Sequence, residues 1–319
     1  MNDERASDAG AALHAEDAAV ILDMGFSTEL AALRRTIDAW LAECDPEMRA
    51  ALEWQFKGRS KYFRPLTLLA CHHAMARPQA EAALRRGTLI VELIHNMTLV
   101  VDDILDQSDE RRGKPTMHVR LGPLPALMTS GYIVAEAYRL AQDDPQGVRL
   151  ISELVQRLGV AECLQWRVRR QPLDVEGWRR IAGEDTGSMF EVAACFGDRS
   201  ERLRRYGNLL GSLYHGCDDV GDVKGLEALG GGGQEDLRDG ILTLPAAIAA
   251  RDPAIRMRFE RGADEDLPHL AAAFRAALPQ AEADLDRIAE AACAEAARHA
   301  RDPAPLVALV RQTRALSGR

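Results

Sequence analysis

The chain has 319 residues, 47% of them apolar and 28% charged, and carries a formal net charge of −9. That balance is globular rather than disordered, and the negative sign argues against nucleic acid as a partner, because phosphate backbones call for a basic face. Aromatic residues make up only 5%. Ala, Leu and Arg are plentiful, a mixture that favours helix over sheet because such side chains lose little entropy in a helix. The six cysteines (44, 71, 163, 195, 217, 293) form no C-x-x-C pair and read as reduced thiols of an intracellular protein. The start, Met-Asn-Asp-Glu-Arg, lacks the basic and apolar regions of a signal peptide. No apolar run approaches the ~18 residues of a membrane span, so the expected location is the cytoplasm.

In chain order, residues 1–16 are polar and Ala-rich and are expected to fray, and residues 17–319 read as one helical domain. Apolar positions recur at three- and four-residue spacing in 29–41, 66–76, 83–107, 127–141, 150–166, 201–222, 241–250 and 284–299, which predicts helices there. Strand alternation is nearly absent. Breaks fall at Asp45-Pro46, Arg112-Gly113-Lys114-Pro115, Gly122-Pro123-Leu124-Pro125, Asp143-Asp144-Pro145 and the run Gly230 to Gly233.

Two of these helices end in carboxylates. Asp102-Asp103-Ile104-Leu105-Asp106 closes the 83–107 stretch, and Asp218-Asp219-Val220-Gly221-Asp222 closes the 201–222 stretch. In each, the first and last Asp are four residues apart and share a helix face. A single D-D-x-x-D is ordinarily a solvated acidic face. Two copies, each ending a long apolar helix, concentrate like charges that call for a cation. Mg²⁺ suits them, since it takes one or two carboxylates and fills its octahedron with water and phosphate oxygens. Arg111 and Arg112 follow the first cluster, and their planar guanidinium groups match phosphate oxygens. His95 lies seven residues before Asp102, on about the same face, and is otherwise a core histidine.

Four blocks together carry a resemblance. They are Glu92 through Asp106 with Arg111-Arg112-Gly113-Lys114-Pro115-Thr116; Gly211 through Asp222; Lys57-Gly58-Arg59-Ser60-Lys61-Tyr62-Phe63-Arg64-Pro65; and Asp236-Leu237-Arg238-Asp239-Gly240-Ile241-Leu242-Thr243-Leu244-Pro245. In chain order they resemble the conserved regions of the trans-isoprenyl diphosphate synthases, the polyprenyl synthetase family. The resemblance implies an all-α isoprenoid synthase-type bundle around a central cavity, and a homodimer. It implies Mg²⁺-dependent condensation of an allylic diphosphate with isopentenyl diphosphate, with three ions in place when substrate is bound. Carried over by residue, Asp102, Asp106 and Asp218 are metal ligands, and Asp103, Asp219 and Asp222 support them. Lys61, Arg64, His95 and Arg112 hold isopentenyl diphosphate. Arg111, Thr186 and His215 fall at the allylic site. Met97 and Thr98 fall where the family sets product length, and the intermediate, flexible Met97 implies about fifteen to twenty carbons.

The chain departs from the family pattern at several positions. Asp185 and Ile241 stand where two lysines would hold the allylic diphosphate, His215 where a Gln is usual, Val101 where a His is usual, and Tyr132 where an Asp is usual. Arg169 and Arg170 are nearby basic residues that could compensate. Two alternatives to prenyl transfer remain. One is a class I terpene cyclase or diphosphate lyase on the same scaffold. The other is a non-catalytic regulatory subunit of a prenyl synthase.

Overall fold

The computed structural model describes residues 24–58, 60–76, 79–111, 113–225 and 237–318. The expected frayed segment 1–16 and the glycine run 230–233 lie outside the described residues. The chain divides into two compact units, residues 1–70 with 78–143, and residues 71–77 with 144–319.

In the first unit, α1 (Ser27–Glu43) buries Leu30, Leu33, Ile37, Trp40 and Leu41, the one-face spacing of an amphipathic helix. Asp45-Pro46 separates it from α2 (Pro46–Phe56). The Asp45 carboxylate accepts from the Glu47 N–H at 2.9 Å, and Pro46 takes the first helical position, where it gives up no hydrogen bond. The Tyr132 hydroxyl accepts from the Asp45 N–H at 3.3 Å. The Tyr found in place of an Asp therefore closes the α1–α2 junction. Helix α3 (Phe63–Met75) follows, with its residues from Cys71 on counted in the second unit. Next, α4 (Glu81–Leu105) is buried at every position from Gly87 to Met97, which accounts for its apolar run. A two-stranded hairpin, β1 (Glu110–Arg111) with β2 (Lys114–Pro115), is antiparallel with Arg111 opposite Lys114. Helices α5 (Met117–Leu121) and α6 (Pro123–Ala141) complete the unit. Ala51, Val100, Met117 and Ala126 pack into one core cluster that ties α2, α4, α5 and α6 together, with Ile104 against it.

The second unit holds α7 (Pro145–Arg167), α8 (Val175–Glu184), α9 (Thr186–Gly197) and α10 (Arg204–Lys224). It continues with α11 (Leu244–Ala249), α12 (Pro253–Arg261), α13 (Leu267–His299) and α14 (Ala304–Ala315). Helix α9 is buried at every position from Gly187 to Gly197, so it has no polar face for periodicity to reveal. Helix α13 begins well before the predicted 284 and runs through Pro279. The end of the chain is locked down by charge. Arg314 pairs with Glu282, and with Asp286 at 2.8 Å, while Lys224 pairs with Glu282 and donates to the Ser317 carbonyl at 2.7 Å. The six cysteines are free thiols. Among the described residues, no helix is long and apolar enough to cross a membrane.

Candidate active site

The first Asp cluster occupies the C-terminal turn of α4. Asp102 is half-buried, Asp103 buried, and Asp106 is the exposed C-cap. A helix C-terminus already carries partial negative charge, so three carboxylates there are unfavourable without a cation. Arg111 supplies one positive charge: its Nε donates to Asp103 Oδ1 at 2.6 Å. The hairpin thus brings Arg111 onto the cluster. Arg112 lies outside the described residues.

Beside this cluster is a cavity of about 240 Å³ whose lining includes Ser60, Glu92, His95, Asn96, Arg111 and Lys114. Two of the predicted residues meet at its edge. Arg64 Nη1 lies 3.2 Å from His95 Nε2. Arginine only donates, so Nε2 accepts and the imidazole proton sits on Nδ1. Lys61 is half-buried. Met97 is buried, and the Thr98 hydroxyl donates to the His95 carbonyl at 2.9 Å.

The cavity wall contains residues to which sequence reasoning assigned no role. Glu92 Oε1 accepts from Ser60 Oγ at 3.0 Å and from Asn96 Nδ2 at 3.2 Å, and Asn96 Oδ1 accepts from Gln55 Nε2 at 3.2 Å. This chain ties α2, the loop before α3, and α4 around the cavity. Trp54 donates from Nε1 to the Pro115 carbonyl at 3.2 Å, and the Lys114 ammonium sits 5.2 Å from its ring centre. A buried Glu one helical turn before Asn96 was the available signal.

The second cluster ends α10. Asp219 is buried and acts as an anchor, its Oδ2 accepting from Trp178 Nε1 at 2.8 Å and from the Leu244 N–H at 2.7 Å. Burial raises its pKa above the usual carboxylate range, against the pull of His215 and these donors. Asp218 and Asp222 are half-buried. Burial, then the neighbouring Asp218 and Asp219 charges, push Asp222 up to about 7. A carboxylate whose charged form is disfavoured by burial and by neighbouring charges is one that a divalent cation would relieve. The donors are all oxygens, which suits Mg²⁺. Among the described residues, no group of three or more His, Cys, Asp or Glu side chains is placed to hold a metal ion. Mg²⁺ needs no such cage when water and phosphate fill its shell.

The departures from the family pattern also find their places. Asp185 and Thr186 form the α8–α9 junction, and Thr186 Oγ1 lies 3.0 Å from His215 Nδ1. Burial opposes charging of His215, but Asp219, Asp185 and Asp218 outweigh it and hold its pKa above the usual imidazole range. Ile241 is half-buried three residues before Leu244, whose N–H reaches Asp219. The nearby arginines are committed to residues 238–240, a short helical turn before Ile241. The Arg170 N–H donates to the Gly240 carbonyl at 2.8 Å, its side chain donates to the Arg238 carbonyl, and Arg169 lies 3.7 Å from Asp239.

The family model described as Polyprenyl synthetase matches residues 45–272. The chain is 29% identical over 249 residues to the nonaprenyl diphosphate synthase of Mycobacterium tuberculosis, spanning 72% of this chain and 74% of that one. Its fold is similar to that of a decaprenyl diphosphate synthase from Rhodobacter capsulatus, with a TM-score of 0.83 at 22% identity over 95% of this chain and 99% of the other. A polyprenyl synthase from Caulobacter crescentus, solved with calcium and isoprenyl diphosphate, gives a TM-score of 0.83 at 23% identity, covering 94% and 97% of the two chains. The all-α isoprenoid synthase fold is that of these structures. The chain belongs to the polyprenyl synthetase family and is a prenyltransferase of the trans-isoprenyl diphosphate synthase type.

Proposed function

We propose that the enzyme condenses an allylic diphosphate with isopentenyl diphosphate, and that both Asp clusters serve the departure of the allylic diphosphate. Asp102, Asp106 and Asp218 would hold Mg²⁺, with three ions in the substrate-bound state. When bound, Mg²⁺ stabilises the charge developing on the leaving diphosphate. The Caulobacter structure, solved with calcium and isoprenyl diphosphate, supports a divalent cation accompanying a diphosphate ligand.

The allylic C–O bond breaks and its electron pair leaves with the diphosphate. The π electrons of isopentenyl diphosphate form the new C–C bond, and a proton passes to the released diphosphate. Lys61, Arg64 and Arg112 grip the diphosphate of isopentenyl diphosphate, with His95 oriented by Arg64. Arg111 holds Asp103 beside the metal ligands. The buried wall of α4, Met97 included, keeps water from the allylic cation.

The observation that carries this reading is the Arg64–His95 pair at a cavity that also borders Arg111 and Lys114. It sets basic groups beside the Asp103 carboxylate, as a second diphosphate substrate would require. A cyclase or lyase would not need it. Asp185 and Ile241, in place of two lysines, are what favours the cyclase reading. The test is incubation with Mg²⁺ and geranyl, farnesyl or geranylgeranyl diphosphate, with and without isopentenyl diphosphate. Longer diphosphates formed only with both substrates support prenyl transfer. A hydrocarbon or alcohol from the allylic substrate alone supports the cyclase. No product from any combination supports a non-catalytic subunit. In the same assay Met97→Ala is expected to lengthen the product, and an unchanged distribution would remove Met97 from the tunnel floor.

We also propose a homodimer. Leu124, Leu127 and Met128 are 67%, 51% and 56% exposed on one face of α6, with Gly131 one turn further along. Such a stripe is a poor solvent face for a monomer.

A further inference from the structure

A carboxylate in the wall of a cavity assigned to an anion calls for a reason. Glu92 is 2% exposed and lines the cavity beside α4 together with His95, Arg111 and Lys114. Its charge opposes a diphosphate there, and its burial leaves little surface for contact with one. Glu92 Oε1 is instead occupied by two donors of the protein, Ser60 Oγ at 3.0 Å and Asn96 Nδ2 at 3.2 Å. Asn96 is itself held: its Nδ2 also donates to the Glu92 carbonyl at 2.9 Å, and its Oδ1 accepts from Gln55 Nε2 at 3.2 Å. The carboxylate is thus a fixed point on α4 to which the loop before α3 is tied through Ser60.

A hydroxyl has a single proton. Ser60 directs it at Glu92, which leaves Oγ as an acceptor, and the Tyr62 N–H donates to it at 3.4 Å. That bond closes a side-chain turn from residue 60 to residue 62, with Lys61 at its centre. The far side of the turn is pinned as well. Tyr62 takes a left-handed backbone conformation (φ +53°), unusual for a bulky residue, and such a conformation persists only where its surroundings hold it. Its buried ring lies 5.4 Å from the Arg34 guanidinium of α1, and its carbonyl accepts from the Leu66 N–H of α3 at 2.8 Å. The backbone on both sides of Lys61 is therefore set by contacts within the protein.

We propose that Ser60 and Glu92 are positioning residues that act through Lys61. Glu92 takes the hydroxyl proton, which commits Ser60 Oγ to the Tyr62 N–H. The closed turn then holds the backbone of Lys61 ready for isopentenyl diphosphate, so the loop pays no further ordering entropy on binding. This rests on the prenyl-transfer reading, and its test can fail independently of that reading.

The test uses the full chain with Mg²⁺. KM is measured for isopentenyl diphosphate, and separately for whichever of geranyl, farnesyl or geranylgeranyl diphosphate the parent elongates, each at saturating co-substrate. Ser60→Ala removes both bonds of the hydroxyl from a half-buried loop position. It is expected to raise KM for isopentenyl diphosphate by roughly tenfold, the scale of one hydrogen bond, and to leave kcat and KM for the allylic substrate in place. Ser60→Thr, which keeps the hydroxyl, is expected to restore the parental KM. Glu92→Ala is expected to raise the same KM, and Ser60→Ala added to it should raise it no further. Lys61→Met raises that KM by itself, and on this background Ser60→Ala is expected to add nothing, because the turn acts only through the lysine. An unchanged KM for isopentenyl diphosphate in Ser60→Ala, an equal rise in both KM values, or losses that multiply in Ser60→Ala/Lys61→Met would each overturn the proposal. A parent that elongates its allylic substrate while any of these holds defeats this inference alone. A parent that consumes the allylic substrate without isopentenyl diphosphate, or does not turn over, defeats both.

Discussion

Asp222 shows how one side chain reports on an ion. Its pKa in the metal-free fold, about 7, stands above the ordinary Asp value of 3.8 because of burial and the Asp218 and Asp219 charges. Between those two values the folded state binds more protons than the unfolded state, so this group makes the metal-free protein less stable as pH rises through that window. A cation favours the charged form and competes with the proton. Mg²⁺ with inorganic diphosphate is therefore expected to bind more tightly at pH 8 than at pH 6. Asp222→Asn should flatten that dependence in titration calorimetry and raise the melting temperature of the metal-free protein at pH 8, with little effect at pH 4. A pH-independent Mg²⁺ affinity in the parent would remove Asp222 from the cation's surroundings. Asp219 belongs to a different class despite its place in the same motif: it anchors Trp178 and the start of α11. The motif D-D-x-x-D could not distinguish these roles, because burial of the middle Asp depends on what packs over it.

Helices α9 and α10 meet along small residues. A Cβ on Gly211 would fall 2.7 Å from the Thr186 carbonyl oxygen and 2.7 Å from Gly187 Cα, both backbone atoms. Gly211→Ala must therefore push the helices apart, at a cost of about 1–3 kcal/mol for an overpacked core. Urea unfolding reads that cost, and because Thr186 sits at this contact, diphosphate binding should weaken as well. A neutral Gly211→Ala would mean the two helices slide without penalty. The α12–α13 corner depends on charge instead. The buried Asp266 accepts from Arg261 Nε and Arg258 Nη1, each at 2.7 Å, and these arginines, Arg261 foremost, hold its pKa down to about 2. A depressed carboxylate adds stability above its unfolded pKa, and that stability is lost as pH falls through the folded value. Asp266→Asn should lower the melting temperature at pH 7, and its difference from the parent should shrink as pH drops from about 4 toward 2. An equal difference at both ends would exclude ionisation as the source.

The exposed stripe on α6 bears on assembly. If Leu124, Leu127 and Met128 meet a second copy, Leu127→Glu buries an unpaired charge in that contact, which is strongly unfavourable. Sedimentation equilibrium should then show the parent as a dimer and Leu127→Glu as a monomer, with helical content by circular dichroism unchanged. A monomeric parent would assign the stripe to another partner. The same face shows why periodicity was a partial guide to the fold. Amphipathic α1 and α7 were legible because one side of each is polar, and α4 because its apolar run is long and ends in the carboxylate cluster. Helix α9 was not, since it is buried all round, and the first part of α13 was not, since Pro279 reads locally as a stop.

Helix class, the two carboxylate clusters and their basic neighbours follow from local spacing, because a side chain's position on a helix face depends only on its offset along the chain. Arg64 meeting His95, Arg111 meeting Asp103, and Glu92 joining Ser60 to Asn96 required the fold. Apart from the local Arg111 turn, these pairs join separate segments or a buried wall, and no spacing rule specifies them. The pairing of Asp185 and Thr186 with His215, separated by 29 residues at the Thr186–His215 contact, belongs to the same class. Read singly, Asp185 looked like a lost contact. Packed together, Thr186 lies within hydrogen-bond reach of both Asp185 and His215, as most polar groups withdrawn from water find a partner.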